Sequence, residues 1–427
     1  MSAGVLLFIL MLILAFIGFP IYIALGASVI VALSVSGLPM VTVPQKVFTG
    51  INSTSLLAIP FFMLAGNLMA KGITRKLIDV ANAFCGHVKG SLAVITVVAS
   101  AFFGAITGSA VATCSAIGGI TSVAMREEGY PRPFISAMIS MSSILGPLVP
   151  PSILLIVFAS LTDTNVTQLF LATIPAAIAF TIFLVGYALW YGKKHNLPSH
   201  EKASWKVRGK ALKDGIWALL MPVIILGGIF GGIFTATEAA AVSAAYALIV
   251  GLFIYKTIKL KDIIPSFLEA SLSTAVILIL IAFSNASGYV IVATQLPNQI
   301  MEFITSITQN KYVILLMINI LLLIVGCLIE ANAAEVMLVP LMLPLFQNLG
   351  ISMFQFAMIF CFNMYLGLIT PPVGTAMLLG KQIAGASVSE TLKAAVPMFL
   401  FGLVLLVVIT YFPAFTDFLP SLAQAGG

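Results

Sequence analysis

Apolar positions in this chain run on for lengths that no water-facing helix or strand would need, and they are punctuated by small polar residues, glycines and prolines rather than by charge. Val5 to Val35 is uncharged, and as one helix it would reach about 45 Å against a bilayer core of about 30 Å. Gly18-Phe19-Pro20 divides it into two crossings. A loop with Pro39, Pro44 and Lys46 leads to a third crossing at about Leu56 to Ala70. Lys71 to His87 then interleaves Arg75, Lys76 and Asp79 with Leu77, Ile78, Val80 and Phe84, the pattern of an amphipathic helix lying on the membrane surface. Ser91 to Met125 is uncharged again and interrupted at Gly104 to Ser109. One helix of that length would exceed about 50 Å. Folded at Thr107 to Ser109 it gives two short arms, so residues 91–125 are expected to form a re-entrant hairpin, with an over-long kinked helix as the alternative. Residues 134–160 hold a helix interrupted by G-P-L-V-P-P-S (146–152), and Leu169 to Tyr191 is a plain crossing.

Sliding the chain on itself shows that this order occurs twice. A shift of 221 places Gly129 on Gly350, Gly146 on Gly367 and Pro150-Pro151 on Pro371-Pro372. A shift of 222 places Gly66 on Gly288, Lys89 on Lys311 and Gly104 on Gly326. Two units are therefore expected, residues 1–191 and 215–427, joined by a basic connector at 192–214. The second unit holds crossings at Ile216 to Phe234, Glu238 to Tyr255 and Ser271 to Val292, then a surface helix at Pro297 to Asn310. It continues with a hairpin at 313–346 tipped at Glu330-Ala331-Asn332, a broken helix at 354–379 and a last crossing at Ala395 to Phe412. Five crossings and a hairpin per unit is an odd count, so the repeat is expected to be inverted, with both termini on one side. Charge agrees with that count: with the connector inside, 18 of the 20 lysines and arginines fall on the inner face, and only Lys46 and Lys311 fall outside. By the positive-inside rule the connector is cytoplasmic and both termini periplasmic. The fold class expected is an all-α polytopic membrane protein of two inverted repeats, with about ten crossings, two re-entrant hairpins and two broken helices.

Composition narrows the function. At 61% hydrophobic, 8% charged and a mean hydropathy of +1.15, the chain belongs in lipid, far from the ~25% charge of soluble domains. The pI of 9.1 reflects membrane orientation, not a nucleic-acid partner. Cys85, Cys114, Cys327 and Cys361 show no C-x-x-C spacing and read as small apolar residues. His87, His195 and His200 fall on the inner surface, away from any catalytic grouping. The first apolar run lacks a basic start and is too long for a cleavable signal. A helix that loses backbone hydrogen bonds at adjacent prolines must recover them from protein or a wet cavity, so paired breaks in corresponding positions point to a transporter's binding site, against two unrelated kinks as the alternative.

Helix N-termini at such breaks attract an anion, and unpaired carbonyls and hydroxyls suit a hard cation such as sodium. Candidate groups are Thr107, Gly108 and Ser109 at the first tip, with Ser142, Ser143, Gly146 and Val149 around the facing break. In the second unit they are Glu330 and Asn332 at the tip and Asn363, Gly367, Thr370 and Thr375 around its break. Thr107, Ser109, Ser143, Asn332, Asn363 and Thr375 are the candidates for holding substrate. Glu330 and Glu335 are acids inside an apolar segment and functional candidates on that ground; the competing reading is a protonated or water-exposed acid at a hairpin end. An intramembrane hydrolase would need a nucleophile and base together, and no such pair is evident, so an enzyme is not expected.

The motifs F-G-A-I-T-G-S-A-V-A-T (103–113), E-G-Y-P-R-P-F (128–134), L-G-P-L-V-P-P-S-I (145–153) and G-L-I-T-P-P-V-G-T (367–375) resemble the large membrane subunit of tripartite ATP-independent periplasmic (TRAP) transporters, and the likeness spans essentially the whole chain. It implies a sodium-driven importer of an organic acid anion in the bacterial inner membrane, working with a periplasmic substrate-binding protein and a separate small four-helix membrane subunit. It also implies an elevator-type fold in which the surface helices are arms holding a moving domain. Family sodium sites carried onto this sequence fall on Thr107 to Ser109 with Gly146 to Pro150, and on Glu330 to Asn332 with Gly367 to Thr370, so two or more co-transported sodium ions and no organic cofactor are expected. The carboxylate itself stays open, with sialic acid the first candidate on overall resemblance. A stand-alone sodium:carboxylate symporter is the rival reading.

Overall fold

The structure, a computed structural model, describes residues 3–372 and 374–425; Val373, inside the second proline motif, and the outermost residues of both predicted units lie outside the described residues. Those described form helices and turns with no strand. In order they are α1 (Ala3–Ile17), α2 (Ile21–Ser36), α3 (Thr42–Ile51), α4 (Ala58–Ala70), α5 (Thr74–Cys85), α6 (Ser91–Thr107), α7 (Ala110–Glu127), α8 (Arg132–Ser143), α9 (Leu145–Leu148), α10 (Ile153–Thr162) and α11 (Val166–Lys194). Then follow α12 (Trp205–Phe230), α13 (Ala236–Ile249), α14 (Leu260–Ala293), α15 (Leu296–Ile307), α16 (Lys311–Leu328), α17 (Ala331–Asn348), α18 (Met353–Gly367), α19 (Thr375–Ala384), α20 (Val388–Tyr411) and α21 (Ala414–Ala425). Among the described residues six helices are long and apolar enough to cross a membrane, and up to eight if two bent pairs count as spans; those pairs, α3 with α4 and α8–α9 with α10, turn by 58° and 40°.

Four stretches differ from the sequence reading. The expected loop around Pro44 is the helix α3, because proline in a first turn removes only an N–H that would lack a partner anyway. The connector is irregular only over 195–204: α12 starts at Trp205, capped by the Ser204 hydroxyl, and its lysines sit in the opening turns, where long side chains reach water. The helix expected at Ser271 begins a full eleven residues earlier, at Leu260, where the Asp262 carboxylate accepts the Lys259 backbone N–H and holds the first turn. A terminal helix, α21, was not expected at all; its Asp417 accepts from Ser352 at 2.7 Å.

Packing interlocks the two halves of the chain. Helix α10 packs on α17, and α19 lies against both α7 and α8. Phe158 of α10 meets Phe356 of α18 edge to face at 5.1 Å, and Phe356 stacks on Phe346 of α17 at 4.0 Å, an arrangement that adds about 0.5–1.5 kcal/mol per pair beyond the burial. Around this body α4 packs on α13 and α14, and α5 on α12. Polar contacts tie the ends of the elements together. Lys71 donates to the Asp262 carbonyl (3.4 Å), Lys89 to Asn196 (2.9 Å), and His200 pairs with Glu128 at 2.8 Å.

Candidate functional site

Helix α6 ends because Gly108 turns the chain into the left-handed region (φ 60°), a conformation that costs glycine nothing. Ser109 then caps α7 by accepting from Ala112 N–H. The turn lies directly on the first break: a Cβ at Gly108 would fall 2.6 Å from the Pro151 carbonyl oxygen, and one at Gly146 would fall 2.5 Å from the Ser109 carbonyl oxygen. Tip and break therefore meet backbone to backbone. Pro150 has no N–H to give the Gly146 carbonyl, which leaves an acceptor beside the tip. The Thr107 hydroxyl donates to Phe103 O at 3.3 Å and accepts weakly from Ser109 N–H at 3.5 Å, so its oxygen keeps lone-pair capacity for a cation.

The second tip is built alike with one change. Helix α16 ends at Leu328, and Glu330 caps α17, accepting from Ala333 N–H at 3.1 Å and from the Asn332 amide at 2.7 Å. Gly326 and Gly367 touch through their backbones. In the facing break the Thr370 hydroxyl donates to Leu366 O at 2.8 Å, the same bond to the preceding turn that Thr107 makes to Phe103. The Asn332 side-chain oxygen is buried with no partner.

Both tips open onto one small cavity of about 100 Å³, lined by Gly108, Ser109, Pro147, Glu330, Asn332 and Tyr365 among others. The structure thus brings Gly108, Ser109, Glu330 and Asn332 together, with Thr107, Gly146, Gly367 and Thr370 in the turns that support them. Ser143, Val149, Asn363 and Thr375 do not line that cavity. Ser143 donates to Ser140 O (2.7 Å) within α8, and Val149 lines a separate apolar cavity with Pro150, Ala101 and Leu226. Asn363 is buried and bonds Asn319 and Ile359 O, both at 2.7 Å, and Thr375 opens α19, half-buried. Glu335 is fully buried and neither carboxylate oxygen has a hydrogen-bond partner.

Two groups went unread in the sequence. Tyr365, fully buried, donates to Pro147 O at 3.0 Å and shares a bond with the Ser152 hydroxyl at 3.1 Å, pinning α18 to the first break; it looks like one more apolar residue in an apolar run. A larger cavity of about 680 Å³ runs from Thr107 and Ser109 along α7 to Gly119 and Ile120, and its other wall carries Asn67, Glu269 and Ser273. Glu269 and Ser273 share a helix face by their spacing of four, a signal hidden because the helix was expected to start at Ser271. No lysine, arginine or histidine lines either cavity.

The sequence profile of the tripartite ATP-independent periplasmic transporter DctM component matches residues 7–415. The C4-dicarboxylate TRAP transporter large permease protein DctM of Pseudomonas aeruginosa is 36% identical over 88% of each chain, and the sialic acid TRAP transporter large permease protein SiaM of Vibrio cholerae is 35% identical over 88% of this chain and 89% of that one. The isethionate TRAP transporter permease protein DctMQ of Oleidesulfovibrio alaskensis is 35% identical over 94% of this chain, which spans 64% of its length. Among solved structures, the Alcanivorax borkumensis YdaH transporter shares the fold, with a TM-score of 0.61 over 97% of this chain and 99% of that one at 16% identity. With its profile matched almost end to end and its tips and breaks folded together, the chain belongs to the DctM-component family of large membrane permease subunits of TRAP transporters.

Proposed function

We propose that this chain imports an organic acid anion across the bacterial inner membrane by symport with sodium. It works with a small four-helix membrane subunit and a periplasmic substrate-binding protein. The observation that carries the reading is the cavity shared by both hairpin tips. It offers hydroxyls, carbonyls and helix N-termini and no cationic side chain, so an anion there relies on helix ends and on bound cations for its countercharge. Thr107, Gly108, Ser109, Gly146 and, in the second half, Glu330, Asn332, Gly367 and Thr370 are the sodium oxygens, with Ser109 and Asn332 facing the substrate carboxylate. In this reading the chain is an inverted repeat of about ten crossings with both termini periplasmic. The body of hairpins and breaks moves as an elevator against α4, α13 and α14, with α5 and α15 as its arms. The identity of the acid is narrowed by the names of relatives only to C4-dicarboxylates, sialic acid and isethionate. The extra length of the isethionate permease beyond this chain supports a second membrane piece as partner.

The test is uptake into proteoliposomes under a sodium gradient, with and without the small subunit and binding protein. Thr107→Ala, Ser109→Ala and Thr370→Ala are each expected to raise the half-saturating sodium concentration by about tenfold, the loss of about 1.4 kcal/mol per ion. Unchanged sodium titrations in all three variants would defeat the assignment, and full uptake by this chain alone would favour a stand-alone symporter.

A further inference from the structure

The larger cavity has one charged group. Glu269 of α14 lines it together with Ser273, one turn further along the same helix, Asn67 of α4 and residues of α7. Its side chain is exposed, and it makes no hydrogen bond or ion pair among the described residues. The same cavity is lined by Thr107 and by Ser109, the N-cap of α7, where the helix dipole favours negative charge. Ser109 and Gly119 both line the space, about 15 Å apart along α7, so it has room for an extended solute. The cavity is therefore polarised: attractive to an anion at the tip, repulsive to one at Glu269.

We propose that Glu269 is a specificity-determining carboxylate, selecting acids with a single carboxylate and, at their far end, hydrogen-bond donors such as hydroxyl, amide N–H or ammonium, against dicarboxylates. This rests on the transport reading above and sharpens its substrate class. The lone carboxylate of the solute seats at the first tip; its distal donors satisfy Glu269, Ser273 and Asn67. A second carboxylate would meet Glu269 with no lysine or arginine in the lining to offset it, and like charges at such range cost enough to matter even in a wet cleft.

The experiment measures thermal stabilisation of the purified full-length chain in sodium buffer by N-acetylneuraminate, gluconate, propionate and succinate. The two hydroxylated monoanions are expected to act at concentrations about tenfold below succinate, with propionate between them. Glu269→Gln should bring that ratio below about threefold, and Glu269→Asp should keep it. Ser273→Ala should weaken the hydroxylated acids and leave propionate unchanged. If the ratio persists in Glu269→Gln, or succinate matches gluconate in the unaltered chain, the charge selection is overturned while sodium-dependent acid binding leaves the transport reading standing. If no acid stabilises the chain in sodium, the charge selection falls, and sodium-driven uptake by the assembled transporter decides the transport reading separately.

Discussion

At the scale of single residues, Glu335 poses the sharpest question. Its carboxyl is fully buried and unpaired, and an unsatisfied polar group in such a place costs about 1–3 kcal/mol. Replacement by an apolar side chain of similar volume is often neutral or stabilising. Glu335→Met is therefore expected to raise the melting temperature of the detergent-solubilised chain; a fall would show that the carboxyl has partners that hold the helix together. Uptake measured on the same variant separates a transport role from a packing one. The sequence flagged Glu330 and Glu335 alike as acids in an apolar run, and the structure separates them: Glu330 caps a helix and faces the cavity, while Glu335 lies one turn further into α17, behind it. The expected tip at Glu330-Ala331-Asn332 coincides with the start of α17 at Ala331; what stayed hidden is which neighbouring helices close over Glu335, since those contacts are remote in sequence.

Elements were more legible than residues. Hairpins and breaks were readable because glycine, proline and small hydroxyl residues punctuate uncharged runs whose lengths the bilayer restricts. The early start of α14 and the existence of α3 were not, since charged or proline-bearing turns at a membrane edge look like loops when neighbours are unknown. The connector illustrates what remained hidden. Arg208, nearly buried, donates to Ala83 O at 3.3 Å and lies over the rings of Phe84 and Trp205, at 5.6 and 5.1 Å, fastening α12 to the surface helix α5. Charge counting saw only another inner-face arginine. Arg208→Ala is expected to cost about 1–3 kcal/mol through the lost charge-assisted bond and ring contacts. Hydrogen exchange should show this as reduced protection of Thr74–Cys85; unaltered protection would mean that α5 is held by its apolar face alone.

On the scale of the whole molecule, the repeated order of elements was visible from aligned glycines and prolines, but the way the halves interlock was not. Contacts of α10 with α17 and of α19 with α7 and α8 join residues some 180 to 270 positions apart, and no local period encodes them. Tyr365 concentrates that interlocking in one phenol. Tyr365→Phe is expected to cost about 1–3 kcal/mol by orphaning Pro147 O and the Ser152 hydroxyl, and a double-mutant cycle with Ser152→Ala should show coupling above about 0.5 kcal/mol; additive losses would mean the hydroxyls act separately. The phenol works like a rivet through two plates. Moving either broken helix must drag its counterpart, so a displacement begun at the first break would be felt along α18.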